Sequence, residues 1–163
     1  MYIDAKACDA LWQAYLSELT ADHPHRQAKP DRFGFGDEPA LAEELALLVL
    51  EGRKCATTSL ATEYTAFGET LPVAGDLSII VRGDGTPVAL IESTAVTTRP
   101  FDEVDAAFAA TEGEGDGSLA CWRAAHIEYF TAVCARLGGQ FDAQTPVICR
   151  VFRVVWKASR SSA

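Results

Sequence analysis

The sequence predicts a mixed α+β fold, a mainly antiparallel sheet flanked by helices, and three observations predict it. An apolar stripe at helical spacing runs from Asp37 and stops at Gly52. Two β-rich segments, Leu77–Arg82 and Pro87–Val96, flank the turn Gly83-Asp84-Gly85-Thr86. A second helical pattern over Ser118–Leu137 leads into a β-branched and aromatic strand, Val147–Trp156. Helical and alternating periodicities therefore share one chain, with helices not regularly interleaved between strands. At 163 residues the chain suits one hydrophobic core, so a single domain is expected.

The elements follow in order. Ala7, Leu11, Tyr15 and Leu19 make a helical stripe over Asp4–Thr20, an outer helix. Next comes His23-Pro24-His25-Arg26, followed by Lys29, Arg32, Phe33 and Phe35. This stretch reads either as a local nucleic-acid contact with two stacking aromatics or as a surface loop anchoring its two Phe in the core. The following helix has Asp37 to cap it, Pro39 in its first turn, and Leu41, Leu45, Leu48 and Val49 on one face. Gly52 ends it by taking the left-handed conformation. Thr57–Leu60 is β-branched at its start and reads as a strand or the loop before one. Asp84-Gly85 supplies the positive φ angles of a hairpin turn. In the long helix, Leu119, Trp122, His126, Tyr129 or Phe130, Val133 and Leu137 fall on an inward stripe that Gly138-Gly139 terminates. The last residues, Ala158–Ala163, are expected to fray.

Composition narrows the function. With 14 basic against 23 acidic residues the net charge is −9, which opposes nonspecific attraction to a polyanion and favours a small ligand over a long RNA. No stretch approaches the roughly 18 apolar residues of a membrane span, and the N-terminus lacks a secretory pattern, so a soluble cytoplasmic protein is expected. Five scattered cysteines without a C-x-x-C motif argue for reduced thiols and against zinc.

The chemistry concentrates in two segments. Lys54 and Thr57 follow the helix end three residues apart. A desolvated lysine can take a hydroxyl proton and so activate the threonine towards an acyl or phosphoryl centre; its ammonium can instead bind an anion, or the pair is only a solvated Lys beside a strand Thr. The second segment, Glu112 to Ser118, places Glu112, Glu114 and Asp116 among three glycines. Such oxygen ligands suit a hard divalent cation, the one cofactor the sequence suggests, but the spacing is not that of an EF-hand and a flexible acidic loop capped by Ser118 accounts for it better. Ser118 is a helix N-cap and, equally, a phosphate-binding position. Arg123 reaches either an anion at a cleft rim or solvent, Tyr64 either stacks a base or fills the core, and His126 is a hydrogen-bonded core residue rather than a catalyst.

Gly52-x-Lys54-x-x-Thr57-x-Ser59 resembles the signature of the ASCH domain, the activating signal cointegrator homology family, related to the RNA-binding PUA domain. Phe35-Gly36-Asp37, Leu71-Pro72-Val73-Ala74-Gly75-Asp76, Pro100-Phe101-Asp102-Glu103-Val104, Glu112-Gly113-Glu114-Gly115-Asp116 and Ser118-Leu119-x-x-Trp122-Arg123-x-x-His126 agree with its longer bacterial members. The likeness implies a PUA-like β-barrel of five or six strands over residues 33–156, with residues 1–32 packing on it as a helix and loop and 157–163 as a flexible tail. It further implies that Lys54, Thr57, Glu112 and Ser118 are catalytic and meet over one mouth; Ser59, Tyr64, Glu92 and Arg123 are expected beside them as substrate contacts. Glu92 is expected to point into the barrel as a partner for Lys54. Glu112 corresponds to a functional glutamate of family members with amidohydrolase activity, with Glu114 as its substitute, and Ser118 to a serine of members with ribonuclease activity. Ser59 stands where many relatives carry arginine. The reaction implied is hydrolysis of RNA or a modified nucleoside: first a ribonuclease on single-stranded RNA, alternatively an amidohydrolase deacylating N4-acetylcytidine, alternatively a domain that only captures RNA or a nucleotide. Neither DNA sequence recognition nor a membrane partner is expected.

Overall fold

The computed structural model describes residues 2–158. Its elements are α1 (Ala5–Ser17), β1 (Asp31–Phe33), α2 (Pro39–Glu51), β2 (Ala56–Leu60), α3 (Ala61–Phe67), β3 (Leu77–Val81), β4 (Pro87–Pro100), α4 (Ala106–Glu112), α5 (Leu119–Arg136) and β5 (Pro146–Lys157), with short 3-10 turns at Pro24–Gln27 and Phe101–Glu103. The strands hydrogen-bond in the order β1-β3-β4-β5-β2, with β1 parallel to β3 and both β3–β4 and β2–β5 antiparallel. The α+β class and five mainly antiparallel strands match the expectation. The closed barrel does not: the order is linear, with β1 and β2 at its ends, so the barrel is partial.

The described residues divide into two compact units, 2–52 with 75–93 and 153–158, and 53–74 with 94–152. In the first, Cys8, Leu11 and Tyr15 of α1 bury against Leu77, Ile79 and Val81 of β3. All five residues of β3 are buried, as a strand covered on both faces requires. The β3–β4 turn closes as expected, with Gly85 at φ +87° and the Thr86 N–H donating to Asp84 Oδ1 at 2.8 Å. Helix α2 begins one residue later than expected. Pro39 fixes the first helical φ and drives the preceding residue into extended backbone, so Glu38 (φ −105°, ψ 133°) is the N-cap and Asp37 lies outside it. Its buried face is Ala42, Leu45, Ala46, Leu48 and Val49, with Leu41 turned outward. Gly52 ends it at φ +76°, as predicted.

The basic segment after α1 is spent on the fold. Arg26 donates to the carbonyls of Leu16, Leu19 and Thr20 around the end of α1, and Arg32 pairs with Asp9. Phe35 is buried and meets Phe33 edge to face, so this stretch is the anchored loop rather than a stacking platform. Lys157 closes β5 and the Ala158 N–H bonds Val88 O, so neither residue is a flexible tail, contrary to expectation; residues 159–163 lie outside the described residues.

The second unit has its own aromatic core, in which Phe101, Phe108, Trp122 and Phe130 pack on Ala56, Leu60 and Val147 of β2 and β5. Ser118 caps α5 through its hydroxyl, which accepts from the Cys121 N–H at 3.1 Å. All five cysteines are free thiols.

Candidate functional site

The site forms within the second unit, from the strand that follows Gly52 and the turn that follows α4. From Lys54 to Leu60 burial alternates residue by residue: Lys54, Ala56, Thr58 and Leu60 are buried, while Cys55, Thr57 and Ser59 are half-buried. Extended chain sends successive side chains to opposite faces, so Lys54 shares its face with Thr58. The register carries this across the sheet, with Thr58 beside Cys149 and Thr57 beside Arg150.

Helix α4 meets that face. Phe108, Ala109 and Glu112 form its buried side, and the Cys55 N–H donates to Thr111 O at 3.0 Å. Gly113 then turns the chain at φ +67°, so close to the strand that a Cβ there would lie 2.1 Å from Arg53 O. Only glycine fits this approach. It sets Glu112 and Glu114 on either side of the Lys54 amine. The Lys54 Nζ is 3.1 Å from Glu112 Oε2 and also pairs with Glu114 Oε1. The other Glu112 oxygen, Oε1, accepts from Thr58 Oγ1 at 2.5 Å and from Trp122 Nε1 at 2.8 Å, with His126 Nε2 at 3.8 Å. His126 Nδ1 donates to Trp122 O at 2.9 Å, which turns Nε2 towards the carboxylate. The Phe101, Trp122 and His126 rings stack in succession, with centroids 5.2 and 4.1 Å apart, and so fix the Trp122 donor and the His126 ring beside the carboxylate.

Burial by itself raises the Glu112 pKa. The Lys54 ammonium, then His126, then the Thr58 and Trp122 hydrogen bonds outweigh it, so the carboxyl is held below the usual glutamate range and is ionised at neutral pH. Next to Thr58, burial pushes the Cys149 thiol up to about 11, which keeps it protonated and out of nucleophilic chemistry. The arrangement is therefore an ammonium between two carboxylates, one of them rigidly oriented. It offers positive charge to an oxygen and an ionised acceptor to a proton.

Of the residues the sequence singles out, Lys54, Glu112 and Glu114 come together. Thr57 lies on the opposite face of β2, and the hydroxyl that meets Glu112 is that of Thr58. On Thr57's side, Ser59 Oγ lies 3.0 Å from the half-buried Tyr64 hydroxyl, whose pKa burial raises against the opposing effects of Ser59 and the Arg150 charge. The Ser118 hydroxyl oxygen accepts from the Cys121 N–H as the helix cap and does not join Lys54 and Glu112. Arg123 donates to the carbonyls of Asp102 and Val104 rather than projecting into solvent. Glu92 is taken by Arg153 at 2.6 Å, an ion pair of the first unit that replaces the expected partnership with Lys54. Asp116 accepts from the Ser118 N–H in a local turn and does not join Glu112. A divalent metal does not fit these residues: the Lys54 amine fills the space between Glu112 and Glu114, and the described residues contain no cluster of three or more acidic, His or Cys side chains disposed around a cation.

Sequence reasoning missed Thr58, Trp122 and the orienting part of His126. Period-two alternation through the signature would have found Thr58, because Lys54 and Thr58 are four residues apart and Lys54 and Thr57 three. Trp122 and His126, one helical turn apart, were legible as an inward stripe, but nothing in the sequence links that stripe to Glu112.

Comparison with known proteins agrees with this architecture. The ASCH-domain family model matches residues 31–156. A crystal structure of an ASCH domain from Lactobacillus crispatus JV V101 is 31% identical and superposes with a TM-score of 0.88, covering 97% of this chain and 100% of that one. A protein of Enterococcus faecalis V583 is 32% identical with a TM-score of 0.82, covering 93% of this chain and 90% of that one. No curated protein matches. No helix among the described residues is long and apolar enough to cross a membrane. The signature around Lys54, the partial barrel that carries it and these full-length likenesses agree, and the chain belongs to the ASCH-domain family.

Proposed function

We propose that this ASCH protein hydrolyses a modified nucleoside, an acylated cytidine in the amidohydrolase manner, with single-stranded RNA as the alternative substrate. The observation that carries this reading is the buried pair of Lys54 and Glu112, whose charged groups are 3.1 Å apart. These are the residue types that the resemblance gives the amidohydrolase branch. In such a reaction Lys54 stabilises negative charge developing on the carbonyl oxygen, and the ionised Glu112 accepts a proton from the attacking water and returns it to the leaving amine. Thr57, the signature hydroxyl, faces away from Glu112, so the proton Glu112 takes comes from a water, and Thr57 contributes by positioning substrate rather than by attack.

Two observations favour this over RNA cleavage. The Ser118 hydroxyl caps a helix, and the acidic loop closes on an amine instead of offering a metal cradle. The net charge of −9 also favours a small substrate. The test is acetate release from N4-acetylcytidine by the purified protein and by Lys54→Ala, Glu112→Gln and Thr57→Ala. Loss of an oxyanion-stabilising charge is expected to lower turnover by about 10²- to 10³-fold. If the protein releases no acetate but cleaves single-stranded RNA in a Lys54-dependent way, the ribonuclease reading replaces it. Binding of either substrate without turnover would make it a capture module.

A further inference from the structure

We propose that the Glu114 carboxylate occupies a ligand oxyanion's position on Lys54, so that the amine is masked in the resting protein and is released when the turn following Gly113 lifts Glu114 away. This rests on the reading of Lys54 as the group that meets substrate oxygen. The side chains of Lys54 and Glu112 are 0% and 1% exposed, whereas that of Glu114 is 25% exposed. The ion pair thus meets solvent at Glu114. The two carboxylates are also held very differently. Glu112 is fixed by Lys54, Thr58 and Trp122 with His126 beside it, whereas the Glu114 carboxylate bonds only Lys54 among the described residues. Returning a partly exposed carboxylate to water costs less than exposing a buried one.

The backbone confines the movement to the right place. Gly113 is pinned by its approach to Arg53 O, which keeps Glu112 seated, while Gly115 and Gly117 follow Glu114 at positive φ, with open space where a Cβ at Gly117 would lie. The Gly117 N–H donates to Glu114 O at 2.9 Å. Beyond Glu114, Gly115 lies against Cys121 and Asp116 Oδ1 accepts from the Ser118 N–H at 2.8 Å, so the movement is confined to Glu114 and the backbone beside it. A ligand oxygen bearing full or developing negative charge would replace the Glu114 carboxylate on Lys54 like for like, as a carboxylate or phosphate does on any buried ammonium.

The test reads the amine directly and does not depend on turnover. Reductive methylation with formaldehyde and cyanoborohydride, followed by peptide mass spectrometry, gives the labelling rate of Lys54. A closed two-state element opens about 0.1–10% of the time, so removing the closing contact in Glu114→Ala or in the isosteric Glu114→Gln is expected to speed labelling at least about tenfold. Acetate, against chloride at equal ionic strength, is expected to slow labelling again in Glu114→Ala by refilling the vacated position. Equal labelling of wild type and both variants overturns the proposal, as does labelling of Glu114→Ala that acetate does not slow. A protein that hydrolyses neither acetylcytidine nor RNA but shows these labelling changes would refute the proposed reaction and leave the masking intact; the reverse result would do the opposite.

Discussion

The Lys54 amine lies 3.1 Å from Glu112 Oε2, and neither side chain reaches solvent. A buried pair of this kind is costly to break from one side, because the survivor keeps its charge and loses its compensation. The two sides are unequal here. Without Glu112, Lys54 retains Glu114; without Lys54, Glu112 has neutral donors and the nearby His126. Lys54→Met is therefore expected to cost about 3–5 kcal/mol, and Glu112→Gln distinctly less. Combining the two should recover part of the Lys54→Met loss. Urea unfolding midpoints at unchanged m-value measure all three.

The same pair sets an acid limit. The folded pKa of Glu112 is lowered, so the fold binds its ionised form more tightly than the unfolded chain does. That contribution is complete above the ordinary glutamate value of about 4.3 and is lost as pH falls through the lower folded value. The difference in unfolding free energy between wild type and Glu112→Gln should be constant from neutral pH down to about 5 and shrink below about 4. A difference that grows on acidification would contradict the sign.

The two adjacent threonines should behave oppositely. Thr58 donates to a buried carboxylate, and hydrogen bonds to charged groups are worth about 1.5–3 kcal/mol. Thr58→Val should lose about that much stability. Thr57, half-buried on the other face, is outside this network, and Thr57→Val should stay within about 0.5 kcal/mol of wild type while lowering acetate release. Thermal melts paired with the hydrolysis assay separate the two effects.

Those threonines also mark how far the sequence could be read. Gly52, the hairpin around Asp84-Gly85 and the Ser118 cap are local decisions of a few residues, and each was legible. Lys54 and Glu112 were legible as a pair only through the family likeness, because 58 residues separate them and no local pattern joins them. The short elements were lost: β1 has three residues and α3 and α4 seven each, too few for a periodic signal to rise above its flanks. Sheet closure was misjudged for a different reason. Strand order is a non-local property, and the sequence shows strands but not their edges.

Ser118 discriminates between a structural and a catalytic role. Its hydroxyl accepts from the Cys121 N–H at the start of α5, the helix that carries Trp122 and His126 to Glu112. A cap needs only a short side chain with an acceptor oxygen, and aspartate and asparagine serve as well as serine. Ser118→Ala should therefore cost about 1 kcal/mol, and Ser118→Asp should restore it. Phosphate positioning would respond in the opposite sense, since a new carboxylate repels a phosphodiester as strongly as it suits a helix N-terminus. Stability and hydrolysis measured together on the three proteins decide the matter. If Ser118→Asp melts like wild type and retains its turnover, the serine acts through the helix; if it melts like wild type and is inactive on RNA, the hydroxyl itself meets the substrate.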